Sequence, residues 1–389
     1  MRFSLLILYT LGCFFALGVK AQVSPTVKVG VFAPIYIDSA FNDNNYKLGT
    51  GIAKNILPGL EFYNGVMMAI DSLNAEGVNA EVFFYDTKSA SEPLETILEN
   101  EDLKSLSLII ASFNNRTEIK LLADFALEHK IPLISETYPN DGGVSENPYF
   151  VLINSTLKTH TDALYKYLQR TSATSNIVWV KRKGATEDLI QSYFTDNNKK
   201  TASIALKFKT VELVDSFSTA DLINSLDSNR QNTVICGTLN ESFSMSVIKT
   251  LSANKEYGAH VIGMPTWDGF KDLTKSDLRG VEIIYTSPYN YPRTDKLGAL
   301  ITAKYRNKFL SRPSDFVFKG YESVYHFTKL SIKYKENLIN NLSDKSFKLF
   351  NEFDIQPIKF KKENLQADYF ENKKLYFIKK LDGQIKSVL

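Results

Sequence analysis

Between residues 108 and 135 the chain contains one complete strand, helix and strand, and this unit limits the possible folds more than any other stretch. Leu108-Ile109-Ile110-Ala111 and Ile131-Pro132-Leu133-Ile134 are short apolar runs without alternation, the pattern of strands buried on both faces of a parallel sheet. Between them Ile119, Leu122, Ala123, Ala126 and Leu127 recur at helical spacing. Each strand then runs into a polar loop, Ser112-Phe113-Asn114-Asn115-Arg116-Thr117 after the first and Ser135-Glu136-Thr137-Tyr138-Pro139 after the second. In open α/β sheets that carboxyl edge is where ligands bind.

The same alternation runs from Val27 almost to Tyr325. Strands are expected near 27–32, 81–85, 108–111 and 131–134, then near 177–180, 205–208, 233–236, 259–263 and 281–286. Helices fall between them, with clear examples near 61–73, 159–168, 243–251 and 296–309. A chain of 389 residues exceeds the ~250 to 300 at which one core stops growing. The expected fold class is therefore α/β, with two doubly wound parallel-sheet lobes. The boundary between the lobes is expected near 150–156. The final segment, with Asp382-Gly383 as a turn signal, is expected to form a hairpin. Residues 36–60, between the first strand and first long helix, are rich in Asn, Asp, Gly and Tyr and have no periodicity. Loops of that length are uncommon inside a compact domain. This one is expected at the cleft mouth, as a ligand-covering flap or a surface loop.

Hydrophobic content of 44% and charged content of 23% belong to an ordinary folded chain, not a disordered one. At the N-terminus Arg2, the apolar stretch 5–19 and Val19-Lys20-Ala21 have the layout of a cleavable secretory leader, expected over 1–21. Without Arg2 and Lys20 the formal net charge falls from +3 to about +1, so no nucleic-acid partner is indicated. Cys236 is then the sole cysteine, in an apolar strand, so no intrachain disulfide forms. A secreted chain of this size without disulfides fits a bacterial periplasm better than a eukaryotic ectodomain.

No catalytic constellation emerges. The four histidines His129, His160, His260 and His326 have no short metal-ligand spacing. Gly49-Thr50-Gly51 lies in the aperiodic insertion, not between a strand and a helix, and there is no nucleophile elbow or phosphate-binding loop. The expectation is a non-enzyme without cofactor or metal.

Several segments in order, "VKVGVFAP", "LEFYNGVMMAIDSLNAEG", "AEVFFYDTKS" and the unit ending "ALEHKIPLIS", resemble the type 1 periplasmic binding proteins, the leucine/isoleucine/valine-binding family that shares its fold with receptor ligand-binding domains. The resemblance spans roughly residues 27 to 389. It implies lobe I over 22–155 plus 287–350 and lobe II over 156–286 plus 351–389, joined by a multi-crossing hinge. It also implies a secreted solute-binding protein that captures a small polar ligand for an ABC-type permease of the inner membrane, with homodimerisation through lobe I as a further option. The alternative is an envelope sensor or interaction module on the same fold, recognising for example a cell-wall fragment.

By the same resemblance, the ligand's carboxylate is gripped by Ser112, Phe113, Asn114 and Asn115 and by Glu136, Thr137 and Tyr138. From the second lobe come Lys183, Asn240, Glu241, Thr266 and Trp267. Each has a plainer structural reading beside it: Ser and Asn cap helices and form turns, and Trp267 is either a stacking wall or a core side chain. Lys183 suits an anionic group, and Glu136 or Glu241 an ammonium. The chain also departs from the amino-acid binders of the family. It has Asn114-Asn115 where they have a serine- and threonine-rich loop, and Gly184-Ala185 where they have a tyrosine. Thr266 directly follows Pro265, with the acid displaced to Asp268. These departures point to a ligand larger or differently charged than a free branched-chain amino acid.

Overall fold

The computed structural model describes residues 26–42, 45–274, 278–361 and 363–389. The expected leader at 1–21 lies outside the described residues. In chain order, β1 (Val27–Ala33) is followed by a small antiparallel ribbon, β2 (Phe41–Asn42) and β3 (Asn45–Tyr46), then by β4 (Ala80–Asp86), β5 (Leu108–Ala111), β6 (Leu133–Ser135) and β7 (Phe150–Leu152). A second series follows: β8 (Asn176–Arg182), β9 (Phe208–Leu213), β10 (Asn232–Cys236), β11 (Ala259–Ile262) and β12 (Glu282–Ser287). The chain closes with β13 (Ile355–Ile358), β14 (Tyr369–Asn372), β15 (Tyr376–Leu381) and β16 (Gln384–Val388). Two seven-stranded sheets result, in the orders β13-β14-β7-β6-β5-β1-β4 and β16-β15-β12-β11-β10-β8-β9. All pairings from β7 to β4 and from β12 to β9 are parallel.

Each sheet is buried for the reason its sequence suggested. Val29, Val31, Ile109, Ile110, Leu133 and Ile134 have no solvent exposure in the first, nor do Val178, Val180, Val234 and Ile235 in the second. The helices Leu57–Ala75 and Asp315–Tyr334 pack against each other over the first sheet, so closely that Gly65 and Gly320 sit against the facing backbone. A Cβ at Gly65 would come 2.0 Å from the Val317 carbonyl oxygen.

The structure corrects four expectations. β7 forms at 150–152, so the first crossing between sheets starts only after it. The tail from 351 does not pass directly to the second sheet: β14 pairs in parallel with β7, and β13 pairs with β14. Polar ties hold it there, since Ser155 Oγ donates to the Asn372 carbonyl (2.7 Å) and Asn147 N donates to the Asp368 carbonyl (2.9 Å). Only β15 and β16 join the second sheet, β15 antiparallel to β12 and β16 antiparallel to β15, the two linked by the expected turn in which Asp382 (φ 53°) and Gly383 (φ 73°) are left-handed. The strand expected near 205–208 begins at Phe208 instead. β9 is a half-exposed edge strand with no apolar run, and Leu206 serves the core. Finally, the insertion is not featureless. It holds a short helix, Ile37–Ala40, and the β2–β3 ribbon, and its last residues belong to the helix Leu57–Ala75.

Candidate functional site

The two sheets are joined by three chain crossings on one side, after β7, after β12 and between β14 and β15. They are cross-tied. Glu371, almost fully buried, accepts from the Thr156 amide (2.8 Å), Thr156 Oγ1 (2.9 Å) and Thr159 Oγ1 (2.6 Å) at the start of the helix Leu157–Thr171, where a negative charge is favoured. Lys373 donates to both Glu371 and Thr159, at 2.6 and 2.7 Å. His160 on the same helix meets Thr286 Oγ1 on β12 at 2.8 Å. Burial pushes its imidazole pKa down to about 3, so the ring is neutral.

Beside this seam lies a cavity of about 840 Å³ lined from both lobes. Pro139, Asn140 and Asp141 follow β6, and Asn154 to Thr156 follow β7. Leu239 follows β10, Pro265 and Thr266 follow β11, and Tyr193, Phe360 and Tyr369 add aromatic surface. The cavity thus sits beyond the carboxyl ends of strands from both sheets, where the alternation of strand and helix places a binding cleft.

The residues expected to grip a ligand fall into distinct groups. Ser112 Oγ and Thr137 Oγ1 meet at 3.2 Å, and Thr137 also donates to the Phe113 carbonyl. Asn154 donates to the Thr137 carbonyl at 2.6 Å, tying this pair to the first crossing. Asn114 is exposed and donates to the Tyr36 hydroxyl at the base of the insertion, 2.9 Å away. Tyr138 is half-buried, and Thr266 lines the cavity. Lys183 and Glu241 are exposed, Lys183 on the loop after β8 and Glu241 as the first residue of a helix.

Three of the remaining residues serve the fold. Asn115 caps the helix Arg116–His129 by accepting from the Glu118 amide (3.0 Å) and donates to the Glu118 carboxylate (2.9 Å). Asn240 caps the helix Glu241–Ala253 by accepting from Phe243 N at 2.9 Å. Phe113 packs in the first lobe, only 4% exposed. Trp267 corrects the stacking-wall option: it is 0% exposed within the second-lobe core, stacked on Phe270. A Cβ at Gly263 would come 2.2 Å from its ring. Glu136 is likewise enclosed, 1% exposed, and burial raises its carboxyl pKa well above the usual range. Its backbone carbonyl accepts from the Tyr289 hydroxyl, but among the described residues its Oε2 has no hydrogen-bond partner.

Sequence reasoning missed a charged group beside Glu136, at the second crossing. Lys319, on the helix Asp315–Tyr334, lies over the Tyr289 ring, its Nζ 3.9 Å from the centroid. Asp268, in the loop after β11, accepts from Ser287 Oγ at 3.1 Å. The residue is exposed, and desolvation of its carboxyl by the surrounding protein, helped by the nearby Asp315 charge, raises its pKa. The displaced acid was visible in the sequence as Asp268. Lys319 carried no local signal, because its place over the Tyr289 ring is set by the packing of a helix far along the chain. Among the described residues, no group of three or more His, Cys, Asp or Glu side chains could hold a metal, and no helix is long and apolar enough to cross a membrane.

No protein-family model matches this chain, and no curated protein matches it. Solved structures do. A protein assigned to branched-chain amino acid ABC transport in Rhodospirillum rubrum is similar at a TM-score of 0.67 and 13% identity, covering 93% of this chain and 99% of its own. A periplasmic ligand-binding protein of a branched-chain amino acid ABC transporter from Burkholderia xenovorans is similar at 0.59 and 11%, covering 94% and 95%. An ABC transporter substrate-binding protein from Desulfitobacterium hafniense, solved in complex with Leu, is similar at 0.57 and 13%, covering 94% and 100%. With its paired seven-stranded sheets, three crossings on one side and a cavity between the strand ends, the chain has the two-lobed fold of the type 1 periplasmic binding proteins.

Proposed function

We propose that this chain is an exported solute-binding protein of the periplasm that captures a small polar ligand between its lobes and delivers it to an ABC-type permease. The observation that carries the reading is the cavity of about 840 Å³, lined from both lobes beside the cross-tied crossings. A ligand touching both walls binds the closed form better than the open one, and that difference in affinity drives closure. The proposed contacts are side chains that line the cavity, Asn140, Asp141 and Asn154 from the first lobe and Thr266 from the second; of the residues expected from the sequence, Thr266 alone is among its lining. The volume lies toward the upper end of the ~300 to 1,000 Å³ typical of small-molecule sites, which favours a ligand larger than a free branched-chain amino acid.

A thermal-shift screen of the chain from Gln22 onward, against amino acids, short peptides, sugars, nucleosides, polyamines and cell-wall fragments, tests this. Ligand at 100 times its dissociation constant adds about 2.7 kcal/mol of stability. A clear rise in Tm accompanied by compaction in small-angle scattering supports capture. A second reading, a sensor or interaction module, draws on the exposed apolar side chains of the insertion, Ile37, Phe41, Tyr46, Leu48 and Ile52. A flat ligand screen together with binding of cell-envelope protein to the insertion would favour it.

A further inference from the structure

We infer that the outward face of the helix Lys296–Phe309, with the turn after it, is a docking surface for an anionic lipid membrane, independently of solute capture in the cleft. The segment 296–312 carries Lys296, Lys304, Arg306, Lys308 and Arg312 and no Asp or Glu, in a chain whose formal net charge is only +3. All five cations are exposed, and among the described residues none is in an ion pair; Lys308 lies over the Phe309 ring. The acids at the helix ends are engaged. Asp295 caps the helix by accepting from Gly298 N at 2.6 Å, Asp315 pairs with Arg293, and Glu61 accepts from Ser314. The helix dipole favours Arg306 and Lys308 in the last turn but disfavours Lys296 in the first, so helix stability does not account for the whole row.

The same face carries apolar side chains. Helical spacing sets Leu300, Ala303 and Asn307 in line with Lys296, flanked by Lys304 and Arg306, while Ile301 and Tyr305 on the opposite side are buried. Leu300 is 49% exposed, and Leu310, which closes the helix, is 93% exposed. Leu310 also has a left-handed backbone (φ 51°), a conformation that glycine or asparagine takes more readily, and its side chain gains no burial within the chain. Ala303, Arg306, Asn307 and Leu310 line an open recess. From Lys296 to Lys308 the helix rises about 18 Å, a row too long for one small anion to meet. Phospholipid headgroups can rearrange beneath a fixed row of cations, whereas an acidic protein must carry its carboxylates at matching fixed positions. Cations with leucines between them therefore suit a lipid surface, the charges at the phosphates and Leu300 and Leu310 at the acyl boundary.

The test is co-sedimentation of the chain from Gln22 onward with phosphatidylglycerol–phosphatidylcholine vesicles and with pure phosphatidylcholine vesicles, at low and high salt, and in parallel its binding to poly-L-glutamate. It is run on the wild type, on the triple variant Lys304→Glu/Arg306→Glu/Lys308→Glu, and on the control Lys199→Glu/Lys200→Glu/Lys207→Glu, which changes the net charge equally at exposed positions of the second lobe. The thermal transition checks that each is folded. The expected result is binding to the anionic vesicles alone, weakened by salt, lowered ~100-fold or more by the triple variant and little by the control. Leu310→Gly should lower it a few-fold, and unchanged binding there removes the leucine from the contact. Equal binding to neutral vesicles overturns the inference, as does unchanged binding in the triple variant or an equal loss in the control. Silence of the folded wild type toward anionic vesicles at low salt also overturns it, and binding to poly-L-glutamate in that case makes an acidic protein the partner of this face.

Discussion

The loop after β5 and the cluster around Lys319 both belong to the first lobe, yet they use their polar groups in opposite ways. In the first, Asn115 caps a helix and bonds Glu118, Ser112 meets Thr137, and Asn114 meets Tyr36. In the second, Glu136 Oε2 has no hydrogen-bond partner among the described residues, and the Lys319 ammonium lies over the Tyr289 ring. A polar residue at a strand end is therefore a weak sign of binding. What separates the two regions is whether the fold itself already satisfies the group. Substitution of a satisfied residue should lower stability and leave affinity alone, and substitution of an unsatisfied one should do the reverse.

The largest effect that could break this contrast is at Trp267. Trp267→Ala should cost about 3–5 kcal/mol, the range for an emptied aromatic core site, in denaturant unfolding. The protein that remains folded should keep its ligand affinity; a lost affinity at unchanged stability would return Trp267 to the cleft. Gly263→Ala sharpens the same point, because the new methyl meets the Trp267 ring and should cost about 1–3 kcal/mol by overpacking, read as a lower Tm.

Glu136 comes next, through pH. Burial raises its folded carboxyl pKa from the ordinary 4.5 to about 8, so the native state holds its proton after the unfolded chain has lost it. The contribution to stability is whole below the unfolded value, falls as pH climbs from there toward the folded one, and is gone above it. The steepest slope for one such group is about 1.4 kcal/mol per pH unit. Glu136→Gln should flatten that part of the stability profile between pH 5 and the neutral range, and an unaltered slope would show that Glu136 is ionised in the folded protein. The smallest effect is at Asn115: Asn115→Ala should cost about 1 kcal/mol through the lost cap, with affinity unchanged within error.

The sheets were largely legible because fully buried parallel strands such as Leu108–Ala111 leave unbroken apolar runs, and the helix Arg116–His129 repeats its apolar face at the right spacing. β7 and β14 were not. They are three and four residues long, and β14 carries Glu371 and Asn372, buried polar residues whose partners lie more than 200 positions away. The site followed the same rule. Strand-end loops could be found from local pattern, but the distinction between a cap and a free donor at Asn115, or a wall and a core ring at Trp267, depends on neighbours that no local window contains. Lys319 lay beyond reach entirely, since its position is set by how two distant helices pack.

The cross-tied seam at Glu371, Ser155 and Lys373 has a mechanical consequence. With all three crossings gathered beside β7 and β12, the lobes are fastened along one side only, and any rotation is amplified with distance from it. From β7 to β4 is four strand spacings, about 19 Å at ~4.8 Å each. A rotation of about 10° at the seam therefore moves the far rim by about 3 Å, roughly one water diameter, over that lever arm. The insertion is moored at that rim, where Asp38 accepts from the amides of Ala90 and Ser91 in the loop after β4. It would travel farthest for the least motion at the fastened side.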